Sequence, residues 1–146
     1  MGKGVKRLRL AAVLQYTLPG VPSLYYGDEA GLEGWGDPFC RGFYPWGYEN
    51  QTILDFYKYL GKLRTENKVF KDGYFEPVIS GLGTVSYIRR TEHEEILISV
   101  NRWREADVIE IPERFITAEV LYGNKPNNNK LTINNEDFSI LKLEKP

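Results

Sequence analysis

Residues 20–29 read GVPSLYYGDE, a short apolar segment that ends at a glycine and two adjacent carboxylates. The part from residue 21 to residue 26 lacks polar alternation, which predicts a strand buried on both faces, as in a parallel sheet. Asp28 and Glu29 follow at its carboxyl end, the place where ligands bind in open α/β sheets. We therefore predict that this stretch forms the rim of a functional site.

Helices are predicted on both sides of this strand. Residues 3–17 carry apolar side chains over most of the helical circumference, so this helix needs cover on more than one side. A second helix is predicted over residues 52–65, with Thr52 and Asp55 as a capping box. Residues 27–49 form a long loop rich in glycine and aromatic residues, and loops of this length in compact domains are usually functional.

From residue 73 onward the apolar pattern changes to a period of two, which predicts strands. Seven strands are predicted, over residues 74–80, 84–90, 95–101, 107–111, 118–122, 130–133 and 138–143. Several short strands at this spacing favour an antiparallel β-sandwich. We predict two domains, residues 1–68 and residues 69–146, that meet near residues 67–73.

Composition restricts the class of protein. The 146 residues are 42% hydrophobic, which suffices for a core, and the net charge of −1 gives no electrostatic reason to expect nucleic acid or membrane as a partner. The single cysteine, Cys40, excludes an intrachain disulfide and favours a reducing, cytoplasmic location. No apolar stretch approaches the roughly 20 residues that span a bilayer. No residues have metal-ligand spacing, and we expect no cofactor.

Several segments of the chain carry a family resemblance. Residues 19–41 read PGVPSLYYGDEAGLEGWGDPFCR, YPWG follows at residues 44–47, and VFKDGYFEPV stands at residues 69–78. Together they resemble the α-amylase family of glycoside hydrolases, in its neopullulanase and cyclomaltodextrinase-like branch. The resemblance implies an α+β fragment: the last helix, strand and helix of a (β/α)₈ barrel, followed by the family's C-terminal antiparallel β-sandwich.

The resemblance also implies which catalytic groups to look for. The family uses an aspartate nucleophile after the fourth barrel strand, a glutamate acid/base after the fifth, and the aspartate of a His-Asp pair after the seventh. By this resemblance the sequence begins after all three positions, and its single histidine, His93, is followed by Glu94. We therefore expect a chain that is catalytically incomplete by itself, from a parent enzyme that hydrolyses maltodextrins, pullulan or cyclodextrins.

Asp28 and Glu29 are the remaining candidates for a catalytic pair. A retaining glycosidase needs two carboxyl groups about 5–5.5 Å apart across one bond. Neighbours on a strand point to opposite faces, so only one of them can face a shared cleft. We therefore predict that both are structural residues of the rim, with Glu29 buried and hydrogen-bonded to turn amides.

Asp37, Arg41 and Trp35 are the predicted substrate-binding residues. Asp37 and Arg41 are four residues apart, and an ion pair between them would fix the loop. The resemblance implies that the same two side chains line donor-side sugar subsites, and the two roles are compatible. Trp35 lies between glycines and is the better candidate to stack on a glucose ring, while Trp46 follows a proline and is expected to pack.

Two other roles stay open for residues 73–146. A carbohydrate-binding module would need exposed aromatic side chains on the sandwich, where Trp103 is the only tryptophan. A structural or assembly module would need no ligand. The open edge of the predicted strand and the apolar first helix both invite association. We therefore expect a homo-oligomer or a dimer that exchanges its N-terminal segment.

Overall fold

The computed structural model describes residues 2–144 as an α+β chain, in which helices precede antiparallel strands. The helices are α1 (Lys3–Thr17), α2 (Gln51–Glu66) and α3 (Val69–Asp72). The strands are β1 (Tyr74–Ser80), β2 (Thr84–Arg90), β3 (Glu94–Asn101), β4 (Asp107–Glu110), β5 (Glu119–Tyr122), β6 (Lys130–Ile133) and β7 (Asp137–Glu144). Each predicted strand after residue 73 is confirmed, with bounds within one residue of the prediction.

The strands form two antiparallel sheets. The larger sheet has the order β1-β2-β3-β7-β5, and the smaller one pairs β4 with β6. In the larger sheet β3 and β7 pair over their full length, from Glu94 opposite Glu144 to Asn101 opposite Asp137. The period-two pattern therefore predicts both the strands and their antiparallel class correctly.

Both faces of the larger sheet are covered by apolar side chains. One face packs against the helices, in a cluster that includes Leu10, Val13, Leu60, Phe70, Ile98 and Phe138. The other face packs against the smaller sheet, in a cluster that includes Ile88, Leu97, Ile109, Leu131 and Leu141. The first cluster contains residues from both predicted domains, and α3 buries Val69 and Phe70 completely at the predicted boundary.

The strand predicted over residues 21–26 is wrong. These residues lie outside both sheets as unpaired chain, and Val21 is 92% exposed. A strand needs backbone donors and acceptors on a neighbouring strand, and residues 2–144 place none beside this segment. Apolar composition alone therefore does not create a strand here. Tyr25 and Tyr26 instead contact each other, with ring centroids 5.0 Å apart.

The capping box predicted for the second helix is also wrong, although the helix is confirmed. The helix begins at Gln51, and the side chain of Asn50 accepts a hydrogen bond from the backbone N–H of Ile53 at 3.2 Å. Asp55 accepts a hydrogen bond from the Gln51 side chain at 2.7 Å. The N-cap therefore lies two residues before Thr52.

Candidate functional site

The turn that carries the two adjacent carboxylates is fixed against α2. It is a single 3₁₀ turn, Asp28–Ala30, between Gly27 and Gly31, which both have positive φ. Gly31 lies so close to α2 that a Cβ atom would come within 2.9 Å of the Ile53 side chain. Only glycine combines this backbone conformation with this close approach. The turn therefore has a defined position relative to the helical core.

Asp28 and Glu29 occupy different environments within this turn. Glu29 accepts a hydrogen bond from the backbone N–H of Gly27 at 2.9 Å. Both residues are half-buried, so Glu29 is less buried than the sequence predicts. Partial burial, and then the charge of Glu29, raise the pKa of the Asp28 carboxyl above its usual value. One carboxylate is therefore engaged in holding the turn.

Asp37 and Arg41 form the expected ion pair. Arg41 Nη2 donates to Asp37 Oδ2 at 2.8 Å, and the two side chains are 66% and 60% exposed. An ion pair this exposed contributes at most about 1 kcal/mol to stability. Its donors and acceptors face solvent, where they can bind a polar ligand at little cost to the fold.

The loop around this ion pair is folded tightly. A Cβ atom on Gly34 would come within 2.8 Å of Cα of Cys40, so only glycine permits this approach. Cys40 is a half-buried free thiol. Trp35 follows Gly34 directly and is 87% exposed. The turn therefore presents Trp35 to solvent on the loop that carries the ion pair.

Several aromatic side chains of the loop face solvent. Besides Trp35, the most exposed are Phe39, Phe43, Trp46 and Tyr48. Trp46 is expected to pack, but it is 79% exposed, and its ring contacts Tyr44 with centroids 4.5 Å apart. A tryptophan's neighbours in sequence do not decide its burial, because burial needs a facing surface. Exposed aromatic faces beside hydrogen-bonding groups suit the binding of ligands that have both an apolar face and a polar edge.

The concave surface at the carboxylates is small. Its volume is about 180 Å³, and Tyr25, Tyr26, Asp28 and Glu33 are among its lining residues. Ligand pockets usually measure roughly 300–1,000 Å³. The described residues therefore form one wall of a site rather than a complete pocket.

A larger groove lies elsewhere on the molecule, and the sequence does not reveal it. It measures about 750 Å³ and is lined by one side of α1, including Arg7, and by the loop after β3, including Trp103. The two walls are nearly 100 residues apart in the sequence, so no local pattern brings them together. The one signal is Trp103 itself, a tryptophan beside three charged residues.

Residues 2–144 contain neither a candidate metal cluster nor a membrane-spanning helix. No group of three or more His, Cys, Asp or Glu side chains in this part of the chain could hold a metal ion. None of the described helices has the length and apolar character needed to cross a membrane.

Proteins similar in sequence are α-glucan hydrolases. No protein-family model matches the chain. An amylopullulanase from Thermoanaerobacter thermohydrosulfuricus is 45% identical over 86 residues, which cover 59% of this chain and 6% of the relative. A cyclomaltodextrinase from Thermoanaerobacter pseudethanolicus is 36% identical over 75% of this chain and 19% of the relative. A maltogenic α-amylase from Bacillus acidopullulyticus is 31% identical over 97% of this chain and 26% of the relative.

The fold matches solved structures of the same class. An α-amylase from Anoxybacillus superposes with a TM-score of 0.85 at 25% identity, over 97% of this chain and 33% of that chain. An antiparallel sheet that follows helices is consistent with the C-terminal domain of such enzymes. The chain spans about a quarter or less of the three relatives' length, and a third of the α-amylase structure. The comparisons confirm the resemblance seen in residues 19–47 and 69–78.

Proposed function

We propose that this chain, which belongs to the α-amylase family of glycoside hydrolases, forms the C-terminal part of an enzyme that cleaves α-glucans. Its relatives are named for amylopullulanase, cyclomaltodextrinase and maltogenic α-amylase activity. Because the chain spans only a fraction of each relative, the activity of the whole protein is part of the proposal. Maltodextrins, pullulan and cyclodextrins are the proposed substrates.

In this proposal residues 1–68 complete a (β/α)₈ barrel and residues 69–146 form the C-terminal domain. α1 and α2 are the last two barrel helices, and residues 21–26 are the last barrel strand. The exposure of Val21 and the absence of a paired strand beside this segment among residues 2–144 support the assignment, because a barrel strand pairs only with its two neighbours. The segment would become a strand when those neighbours are present.

The observation that carries the proposal is the exposed Asp37–Arg41 ion pair on a loop that also exposes Trp35. A guanidinium group donates and a carboxylate accepts, so together they can bind adjacent hydroxyl groups of a sugar. An indole ring offers an apolar face to the C–H groups of the same ring. We assign these three residues to substrate binding.

The chain contributes binding groups and no catalytic pair in this proposal. Glu29 is engaged with the backbone N–H of Gly27, and Asp28 is its direct neighbour on a single turn. Hydrolysis with retention needs a nucleophile and an acid on either side of one bond. Those groups would come from the remainder of the enzyme, and Asp28 and Glu29 would shape the rim.

A chimera tests the proposal. The segment of the Bacillus acidopullulyticus maltogenic α-amylase that matches this chain is replaced by residues 1–146, and kcat/KM is measured on cyclodextrin and pullulan. We expect an active chimera in which Asp37→Ala or Arg41→Ala lowers kcat/KM about tenfold or more, the equivalent of roughly 1.4 kcal/mol.

Lys62 and Glu66 supply the matched control. They form another exposed i,i+4 ion pair, at 3.7 Å on α2, with side chains 71% and 61% exposed. Lys62→Ala and Glu66→Ala should leave kcat/KM unchanged. A folded chimera without activity would contradict the proposed function, and full activity in both the Asp37 and Arg41 variants would remove these residues from the sugar site.

A further inference from the structure

The groove between α1 and the loop after β3 is large enough to bind a ligand. Its volume is about 750 Å³, and none of its lining residues belongs to residues 27–49. We propose that it is a second α-glucan-binding site, in which the indole of Trp103 stacks on a glucose ring. It would hold the polysaccharide at a distance from the site of cleavage.

Trp103 is held in place and partly exposed. Its side chain packs over Gly83, where a Cβ atom would lie 1.3 Å from the indole Nε1, so only glycine is compatible with this position. Its backbone N–H donates to Asn101 Oδ1 at 2.8 Å, and its carbonyl accepts from the backbone N–H of Glu136 at 2.8 Å. Trp103 is nevertheless 49% exposed. The guanidinium carbon of Arg102 lies over the ring, 6.0 Å from its centroid, and a fixed aromatic ring loses little entropy when a ligand binds.

The loop that carries Trp103 rests on a buried asparagine. Asn101 has no exposed surface, and its Nδ2 donates to the backbone carbonyls of Glu105 at 2.9 Å and Asn134 at 3.1 Å. Each end of the loop is thus bound to the end of β3. A buried polar side chain whose hydrogen bonds are made is a rigid support. The wall formed by Trp103 is therefore positioned before any ligand arrives.

The opposite wall combines an apolar surface with an exposed guanidinium. Leu10 and Leu14 of α1 provide the apolar part. Arg7 Nε lies 3.5 Å from Glu136 Oε1, and the Glu136 side chain is 7% exposed while that of Arg7 is 65% exposed. Glu136 Oε1 makes no hydrogen bond within the described residues. The buried carboxylate therefore attracts Arg7 by charge, without a hydrogen bond, and leaves most of the Arg7 side chain exposed at the groove.

The groove presents both hydrogen-bond donors and hydrogen-bond acceptors. Three arginines line it, and two glutamates, Glu105 in the lining and Glu136 behind Arg7, balance most of their charge. Sugar hydroxyls can donate to the Glu105 carboxylate and accept from the guanidinium groups, so a neutral ligand with many hydroxyl groups fits this mixed lining. The choice of an α-glucan among hydroxylated ligands rests on the proposed function.

Nuclear magnetic resonance of the intact 146-residue chain tests the inference. The chain is titrated with maltohexaose, and the indole N–H signal of Trp103 is identified by its loss in Trp103→Ala. We expect this signal to shift, and Trp103→Ala to weaken the apparent affinity about tenfold or more. Trp35→Ala, which removes the exposed tryptophan of the other site, is the matched control and should keep most of the affinity.

The alternative results are distinct. No shift of the Trp103 signal at millimolar maltohexaose, or affinity lost in Trp35→Ala and kept in Trp103→Ala, would overturn the inference. An equal response to cellohexaose or to inorganic phosphate would overturn the assignment to an α-glucan. If Trp103→Ala does not fold, the Trp103 signal is identified as the indole N–H signal that persists in both Trp35→Ala and Trp46→Ala, and its shift tests the inference. Failure of the proposed function is read separately, from an inactive chimera.

Discussion

At the scale of single residues, Arg89 links the helical and the sheet parts of the chain. It is 1% exposed, and its guanidinium donates to the carbonyls of Thr17 at 2.8 Å and Gly73 at 2.9 Å. Thr17 is the last residue of α1, which has no basic residue in its own last turn. Arg64 of α2 donates nearby, to the carbonyl of Tyr16 at 2.6 Å. Two arginines from other elements thus supply positive charge to this helix C-terminus.

Removing Arg89 should be costly for stability. Arg89→Ala leaves buried carbonyls without donors, and we expect the free energy of unfolding to fall by about 3 kcal/mol. Arg90→Ala is the control, because Arg90 is the exposed neighbour whose ion pair with Glu76, at 3.4 Å, is worth about 1 kcal/mol or less. Urea unfolding measures both. Equal losses in the two variants would contradict the role given to Arg89.

Tyr87 should make the fold sensitive to alkali. Its hydroxyl lies 2.5 Å from Thr17 Oγ1, and burial raises its pKa to about 12, while the hydrogen bond with Thr17 lowers it to a smaller extent. The unfolded chain has a tyrosine pKa near 10. The raised pKa means that the folded state favours the neutral phenol of Tyr87. The contribution of this phenol to the free energy of unfolding is therefore complete below about pH 10 and is lost as the pH rises through about 12.

The pH dependence of the urea midpoint tests this assignment. Tyr87→Phe should show a shallower decline of the midpoint above about pH 10 than the unsubstituted chain. Burial also raises the pKa of Tyr57 to about 12. Because Tyr57 remains in this variant, we expect part of the decline of the midpoint to remain as well. An unchanged slope would mean that Tyr87 ionises in the folded state without penalty.

At the scale of elements, the strands could be predicted and the segment between the helices could not. Alternating side chains such as Ile96, Ile98 and Val100 mark a strand because each face of a sheet has its own environment. Residues 21–26 do not alternate in this way. An unbroken apolar run indicates that the segment is buried against other residues, but it does not indicate which residues those are. The Asp37–Arg41 pair follows from spacing alone, whereas the exposure of Trp46 depends on which surfaces face the loop.

The cap of α2 gives a local test of the corrected helix boundary. Asn50→Ala removes the acceptor for the backbone N–H of Ile53 and should lower the free energy of unfolding by about 1 kcal/mol. Thr52→Ala, at the position that the sequence pattern favours, should change it by less than about 0.5 kcal/mol. Thermal or urea unfolding distinguishes the two. A larger loss in Thr52→Ala would restore the capping box.

At the scale of the whole molecule, exposed apolar side chains gather between residues 21 and 48. Val21, Trp35, Phe43, Trp46 and Tyr48 are each more than three-quarters exposed. Large exposed apolar patches normally mark an interaction surface. The proposed function gives this surface a cover within the complete barrel. In the isolated chain we propose that a second copy covers it.

Self-association of the isolated chain is therefore expected. Light scattering at micromolar concentration should give a mass above that of one chain, and Phe43→Ser with Trp46→Ser should lower it towards the monomer. Val108→Ser is the control, because Val108 is also exposed, at 57%, but lies on β4 outside this surface. A monomer in which residues 1–50 resist protease would contradict the expectation.

The release of reducing ends by the isolated chain tests the central claim most directly, namely that the chain brings sugar-binding groups and no catalytic pair to an α-glucan hydrolase. The purified chain is incubated with maltotriose, pullulan and cyclodextrin, and reducing ends are counted against a blank without protein. We predict no release above the blank, since loss of a nucleophile and an acid costs many orders of magnitude in rate. Release that disappears in Asp28→Asn or Glu29→Gln would contradict the account.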